Sequence, residues 1–264
     1  MDLYNFGKGE IPAHIHPKGG GWVANTADVD EDCYIGPYAM VYDNAKVKND
    51  SKVDGYAKVY GNSVISDTAK IYGDAQIYDN AQIVKNARIS GKARVYGKAK
   101  VYDNAQVYDN AQVYDHAILR NFSEVYENAR AYGNALLIDQ NKIYNDCAVT
   151  KQPLIITGAI SNAGGPTQHI TITDNHIAVG CVVLPPKLWK EHGVSIFSYF
   201  SRYFTDTVPN EDKAKSWIDI ILWASNFHGC VDREEDIEKI KKSNVINRIL
   251  MGETQDRNIN RGSM

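Results

Sequence analysis

One constraint governs most of this 264-residue chain: an aliphatic residue returns at every sixth position from Val23 to Ile155. The cleanest sample is AKVYDNAQVYDNAQVYDHA, residues 99–117, and no insertion breaks the count across twenty-three successive hexads. Four residues after most of these aliphatics stands a small residue, as at Ala39, Ala45, Ala57, Ala69, Ala75, Ala81 and Ala87. In a unit such as Ala-Gln-Val-Tyr, strand alternation sends Ala and Val to one side and Gln and Tyr to the other. The next two positions hold corner residues, among them Asp43-Asn44, Gly61-Asn62, Gly73-Asp74, Asp79-Asn80, Asp103-Asn104 and Asp109-Asn110. Asn and Asp tolerate the left-handed backbone region, and Gly tolerates almost any. An amphipathic helix needs apolar spacing near 3.6, which is absent. A short strand, a corner, and another short strand therefore predict a solenoid whose coils stack about 4.8 Å apart through parallel ladders.

The pattern aliphatic-x-x-x-small-x resembles the hexapeptide repeat of the left-handed parallel β-helix, the fold of the bacterial acyltransferase superfamily. That resemblance implies three hexads per coil and a triangular prism in which residues eighteen apart lie above one another. Sorted by eighteens, one outward face carries Tyr42, Tyr60, Tyr78, Tyr96, Tyr114 and Tyr132, one tyrosine per coil. Beside them run Trp22, Met40, Lys58, Gln76, Arg94, Gln112 and Arg130. A second face holds Lys52, Lys70, Arg88 and Gln106, joined by Tyr108, Tyr126 and Tyr144. The third begins polar (Asp28, Asp30, Lys46, Lys48) and becomes apolar (Ile118, Leu136, Ile138, Leu154, Ile156), a column that the C-terminal segment or a second subunit is expected to cover.

Residues 1–22 are read as an N-terminal cap crossing the open end of the repeat, with Gly19, Gly20 and Gly21 supplying tight turns. The β-helix spans 23–156. Asn141 and Pro153 occupy small-residue positions, and a proline cannot donate to a ladder, so the repeat decays there. Residues 157–168 read as a Gly/Ser/Asn-rich connector opening a C-terminal domain, 157–264. In it HITITDNHIAVGCVV reads as a hairpin around Asp174-Asn175. Pro185-Pro186 open a short helix in KLWKEHG, and 194–204 carry aromatics at helical spacing. Glu211 to Phe227 form an amphipathic helix with Asn210 as its cap, and Arg233 to Met251 another, apolar at Ile237, Ile240, Val245, Ile246 and Ile249. The last dozen residues read as frayed. The fold class is thus mainly β: a left-handed parallel β-helix followed by a small α/β, mostly helical domain. The tail, and the lead-in HPKGGGWVANTADV, resemble those of uncharacterised bacterial and phage β-helix proteins.

Net charge is −3 with acidic and basic residues nearly balanced, so no global field draws the chain to nucleic acid or an anionic membrane. The first residues lack the basic patch and apolar run of a signal peptide, and no stretch is apolar enough to span a bilayer. Cys33, Cys147, Cys181 and Cys230 form no CxxC and read as thiols of a reducing compartment, so a cytoplasmic setting is expected.

The resemblance to acyltransferases implies a histidine near a corner acting as general base toward an acyl-CoA thioester. The hexads hold a single histidine, His116, at the corner after Val113; its other reading is an ordinary corner residue where Asn usually stands. One histidine cannot supply the three that hold zinc in the related γ-type carbonic anhydrases. Neither His14-x-His16 nor the tail's Cys181, Cys230, His228 and His169 or His176 make a persuasive metal set, so no metal is expected. GxxxxGK[ST], GxGxxG and GxSxG are absent.

The tyrosine column with Lys58, Arg94 and Arg130 is the remaining candidate surface, read either as a structural stack or as a face for a partner. The expected function is a non-enzymatic scaffold with no cofactor, binding a protein partner or associating with itself as a homotrimer, a state common in the hexapeptide family. A role in phage–host interaction or anti-defence refines it; the alternative is an acyltransferase using His116 and acetyl-CoA.

Overall fold

The computed structural model describes residues 2–138, 141–145, 147–160, 168–179, 182–204, 211–242 and 246. They divide into two compact units, Met1–Pro153 and Leu154–Met264. The first is a parallel β-solenoid of about seven turns. Its hexads form two-residue strands such as Gln76–Ile77, Gln82–Ile83 and Arg88–Ile89, and every third strand pairs in parallel. Gln76 lies beside Arg94 and Ile77 beside Val95, the eighteen-residue register repeated on all three sides. We call the sides face A (containing Gln76–Ile77), face B (Gln82–Ile83) and face C (Arg88–Ile89).

The interior follows from the hexad. The inward aliphatics from Ile35 to Leu137 and the small residues two positions before them are almost wholly shielded from solvent. Corners turn through a left-handed residue: Asp43, Asp79 and Asp115 alternate with Gly61, Gly97 and Gly133 along the A–B corner, all with positive φ. The alternation is a hydrogen-bond relay. Asp43, Asp79 and Asp115 carboxylates accept the N–H of Gly61, Gly97 and Gly133 in the next coil, at 3.2, 3.1 and 3.1 Å.

A solenoid exposes raw strand edges at its first coil, and residues 2–22 cover them. Strand β1 (Asp2–Asn5) and strand β2 (Glu10–Ile15) form an antiparallel hairpin, and β2 pairs with β3 (Trp22–Ala24), the first strand of face A. Face C is closed by the glycine turn: Ile35 N–H donates to the Lys18 carbonyl at 3.0 Å, and Gly21 N–H to the Ile35 carbonyl at 2.9 Å. The buried His16 ring reaches the end of face B, its Nε2 lying 3.2 Å from the Asp30 carbonyl oxygen.

The solenoid is one hexad shorter than the aliphatic count. Leu154–Ile160 pairs antiparallel with Gln168–Ile172, Ile155 opposite Thr171, so Ile155 opens the second unit and a strand occupies the start of the expected connector. Pro153 supplies the reason. At many corners, and at the equivalent corner one coil below, the small residue's N–H closes the turn, as Ala135 does to the Tyr132 carbonyl at 3.1 Å, and proline has no N–H to do so. The outward Ile118, Leu136 and Ile138 are half-buried; the side chains of Leu154 and Ile156 lie outside the described residues.

In the second unit Gln168–Ile172 and Ile177–Val179 form the expected hairpin, and Val182–Leu184 adds a further antiparallel strand. Helix α1 (Pro186–Phe204) is one helix, not a short helix and a separate aromatic segment. Gly193 reads as a breaker, yet it is buried, and a Cβ there would overlap the Ile218 side chain. Helix α2 (Glu211–His228) and helix α3 (Glu234–Lys242) complete the unit. The core joins Ile170, Ile172, Ile177, Leu188, Trp189, Ile221 and Ile237, and Trp189 Nε1 donates to the Ile177 carbonyl at 2.7 Å. Ile246 is buried; Asn210, Val245, Ile249 and the last dozen residues lie outside the described part. Among the described residues no helix is long and apolar enough to cross a membrane.

Gly21 packs so closely that an added Cβ would overlap the Gly36 carbonyl oxygen and the Ile35 side chain. Gly21→Ala should therefore cost about 1–3 kcal/mol, as overpacking does. Thermal unfolding should show a lowered Tm, and an unchanged Tm would mean that the glycine turn does not seal face C.

Candidate binding face

Face A is fixed by the backbone before its side chains are considered. Each tyrosine stands one position after an inward aliphatic, so alternation turns it outward. Its N–H donates to the carbonyl of the aliphatic in the coil above: Tyr42 to Val59 at 3.0 Å, Tyr60 to Ile77 at 2.9 Å, Tyr78 to Val95 at 3.1 Å, Tyr96 to Val113 at 3.0 Å, Tyr114 to Ala131 at 3.0 Å and Tyr132 to Val149 at 2.9 Å. The six rings consequently stack, with successive centroids 4.8, 5.0, 4.9, 4.9 and 5.0 Å apart and planes within 8° of parallel. Five steps of about 4.8 Å make a column roughly 24 Å long.

The column extends below Tyr42 through residues that the hexad pattern does not reveal. Position 24 of the ring column is alanine, and Phe6 occupies the room it leaves, stacked on Tyr42 with centroids 5.1 Å apart. Tyr4 stacks on Trp22 at 4.4 Å and meets Phe6 edge-on at 4.9 Å. Lys8 sits 3.7 Å from Asp43 and 5.9 Å from the Tyr60 centroid. The sequence signal was the alternation Leu3-Tyr4-Asn5-Phe6 ahead of Gly7 and Gly9, which places Tyr4 and Phe6 on one side of a strand.

Beside the rings, Lys58, Arg94 and Arg130 alternate with Gln76 and Gln112. Like charges thus stand two coils, about 10 Å, apart, near the Debye length at physiological salt. Lys58 and Arg130 are half-buried and Arg94 is exposed. Tyr96 Oη donates to Gln112 Oε1 at 3.4 Å.

In the stack, Tyr42, Tyr60, Tyr78, Tyr96 and Tyr114 are hard to ionise. Burial, with Tyr60 and Asp43 adding to it, pushes Tyr42 up to about 12. Burial likewise raises Tyr60, Tyr78, Tyr96 and Tyr114. On face C Tyr108, Tyr126 and Tyr144 form a second stack, with centroids 4.8 and 5.2 Å apart. There burial raises Tyr108, whose Oη donates to Glu124 Oε2 at 3.0 Å, and the carboxylate's charge adds to the shift. At the C–A corner Tyr38 and Tyr56 stack at 5.1 Å yet remain 62% and 60% exposed, a pair missed because corner positions are ordinarily polar.

His116 lies at the A–B corner, exposed, with its N–H donating to the Gly133 carbonyl at 3.0 Å. No hydrogen-bond partner orients its imidazole among the described residues, and a general base needs such orientation. His14 and His16 do not converge: His14 Nδ1 meets Asn25 Oδ1 at 2.9 Å, whereas His16 is buried in the cap. Among the described residues no group of three His, Cys, Asp or Glu could hold a metal ion. Cys181 and the side chain of His169 lie outside those residues, and Cys33, Cys147 and Cys230 are buried. No protein-family model matches the chain, and no curated protein matches it.

The tyrosine shifts carry a pH dependence. A phenol whose pKa is raised in the fold lends stability that is whole below its unfolded pKa near 10 and is lost as pH climbs through its folded pKa. For Tyr42 that window runs from 10.0 to about 12. The Tm should stay level to about pH 10 and fall above it, with the phenolate absorbance of the shielded stack, Tyr42 foremost, appearing only as the chain unfolds. Tyr42→Phe should shallow the fall. Full phenolate absorbance near pH 10 in a protein still folded would contradict the shielding.

Proposed function

We propose that the solenoid is a rigid non-enzymatic scaffold whose face A is a docking wall for a partner protein. One observation carries the reading: the ring faces are occupied by one another. The backbone ladder holds the coils about 4.8 Å apart, too close for a base or sugar to slip between rings. What remains is a flat wall of ring edges and hydroxyls flanked by Lys58, Arg94 and Arg130. Aromatic residues and arginine are enriched where proteins bind one another. A single-stranded nucleic acid would need exposed ring faces and a denser row of cations. The likeness of the lead-in and tail to phage β-helix proteins supports a partner drawn from the phage–host encounter, inside the cytoplasm. The acyltransferase reading, with acetyl-CoA as its cofactor, rests on His116 alone.

Affinity purification from the native host tests the proposal. A specific protein should co-purify with the intact chain and be lost with Arg94→Glu, which reverses a charge without disturbing the stack, and with the Tyr78→Ala, Tyr96→Ala pair. Retention by all of these variants would remove face A as the docking wall. A thermal shift with acetyl-CoA that His116→Ala abolishes would instead favour the enzyme.

A further inference from the structure

The hairpin that covers face A moves the open edge outward without closing it. Among the described residues, the ten-stranded sheet of face A ends at β1, which pairs with β2 on one side only. Which groups lie on the bare side follows from register. Asn25 N–H donates to the Pro12 carbonyl at 2.9 Å, and His16 N–H to the Gly21 carbonyl at 2.9 Å, so the even residues of β2 direct their backbone toward β3. Its odd residues, Ile11 and Ala13, therefore face β1, opposite Tyr4 and Asp2. The outer edge of β1 thus presents the N–H and C=O of Leu3 and Asn5.

We infer that β1 pairs antiparallel with β1 of a second copy, joining two solenoids end to end through a two-fold axis at Tyr4. Leu3 and Asn5 are two residues apart, so a two-fold at Tyr4 sets Leu3 of each copy against Asn5 of the other, and each pair exchanges both bonds. Self-complementarity is what selects a second copy over an unrelated strand. The side chains agree with it. Tyr4 lies on the outward side of face A, stacked on Trp22, and at the axis it meets Tyr4 of the second copy in the close, non-hydrogen-bonded pairing. The aromatic wall then runs unbroken through the junction. Leu3, 56% exposed on the other side, gains cover. Nothing at Leu3 or Asn5 resists pairing in the way that an edge lysine or proline would.

Sedimentation equilibrium on the intact chain tests the junction. Wild type should be a concentration-dependent dimer, and Leu3→Ala, which keeps the backbone N–H, should dimerise too. Leu3→Pro removes an outward N–H while leaving the Asp2 and Tyr4 bonds to β2, so its dimer should weaken at least about tenfold while its circular dichroism matches that of the dilute wild-type monomer. Amide hydrogen exchange gives a readout that needs no variant. Leu3 and Asn5 should gain protection as protein concentration rises, with Tyr4 protected throughout. A monomer at all concentrations, a trimer, a dimer indifferent to Leu3→Pro, or concentration-independent exchange at Leu3 and Asn5 would each overturn the inference.

Discussion

The parallel hydrogen-bond ladder between coils eighteen residues apart is the interaction on which everything else in the first unit depends. It sets the vertical spacing near 4.8 Å and permits no local adjustment, because the N–H groups of a strand are committed alternately to the coil above and the coil below. Like residues must then lie on like. Inside, that produces a close-packed column of valines, isoleucines, leucines and alanines. Outside, it turns a tyrosine every eighteen residues into a stack, and a lysine or arginine every thirty-six into a row of cations spaced widely enough to coexist. Repetition that defines the interior also makes the surface flat, which is why a docking wall follows from this fold more readily than a pocket does.

A ladder that satisfies each coil from the next leaves its first and last coils wanting, and the protein spends its least regular sequence there. The cap seals three faces by three different means: a strand for face A, a glycine turn for face C and an imidazole for face B. At the other end Pro153 stops the repeat by withholding the N–H that closes a corner. The capping of face A by a strand differs from the others in kind, since a strand that covers an edge presents one of its own.

The solenoid and its eighteen-residue register were legible because one six-residue pattern is repeated so often that the individual exceptions, Ser51, Ser63 and Ser123 among the alanines, do not obscure it. The tyrosine column, the decay near Pro153, the hairpin at Asp174-Asn175 and the helix from Glu211 were legible for the same reason: each rests on local periodicity. Contacts set by tertiary proximity were not. Phe6 belongs to the ring column only because position 24 is alanine, a complementarity between residues eighteen apart that no spacing rule anticipates. Ile155 keeps the hexad count yet leaves the solenoid, since the backbone N–H absent at Pro153 outweighs an aliphatic in phase. Gly193 looked like an end of a helix and instead lets α1 approach Ile218. Of the candidate site, the column's membership was readable; that its rings face one another, leaving only edges, required the geometry.

The central claim is that the register of the outward stacks, and not merely the apolar interior, specifies this prism. Two deletions separate these, measured by thermal unfolding with near-ultraviolet circular dichroism of the tyrosines. Removing residues 76–93 takes out one whole coil and sets Tyr96 on Tyr60. Removing residues 76–81 leaves every inward aliphatic in phase but rotates all later coils by one face, placing Val84, Tyr102, Arg120 and Ile138 above Tyr60 in the ring column. The eighteen-residue deletion should keep the tyrosine signal per ring and nearly the full Tm, and the six-residue deletion, which breaks the column between Tyr60 and Tyr96 while the Tyr42–Tyr60 and Tyr96–Tyr114–Tyr132 stacks survive, should lower both. Equal Tm and equal tyrosine signal in the two proteins would contradict the account.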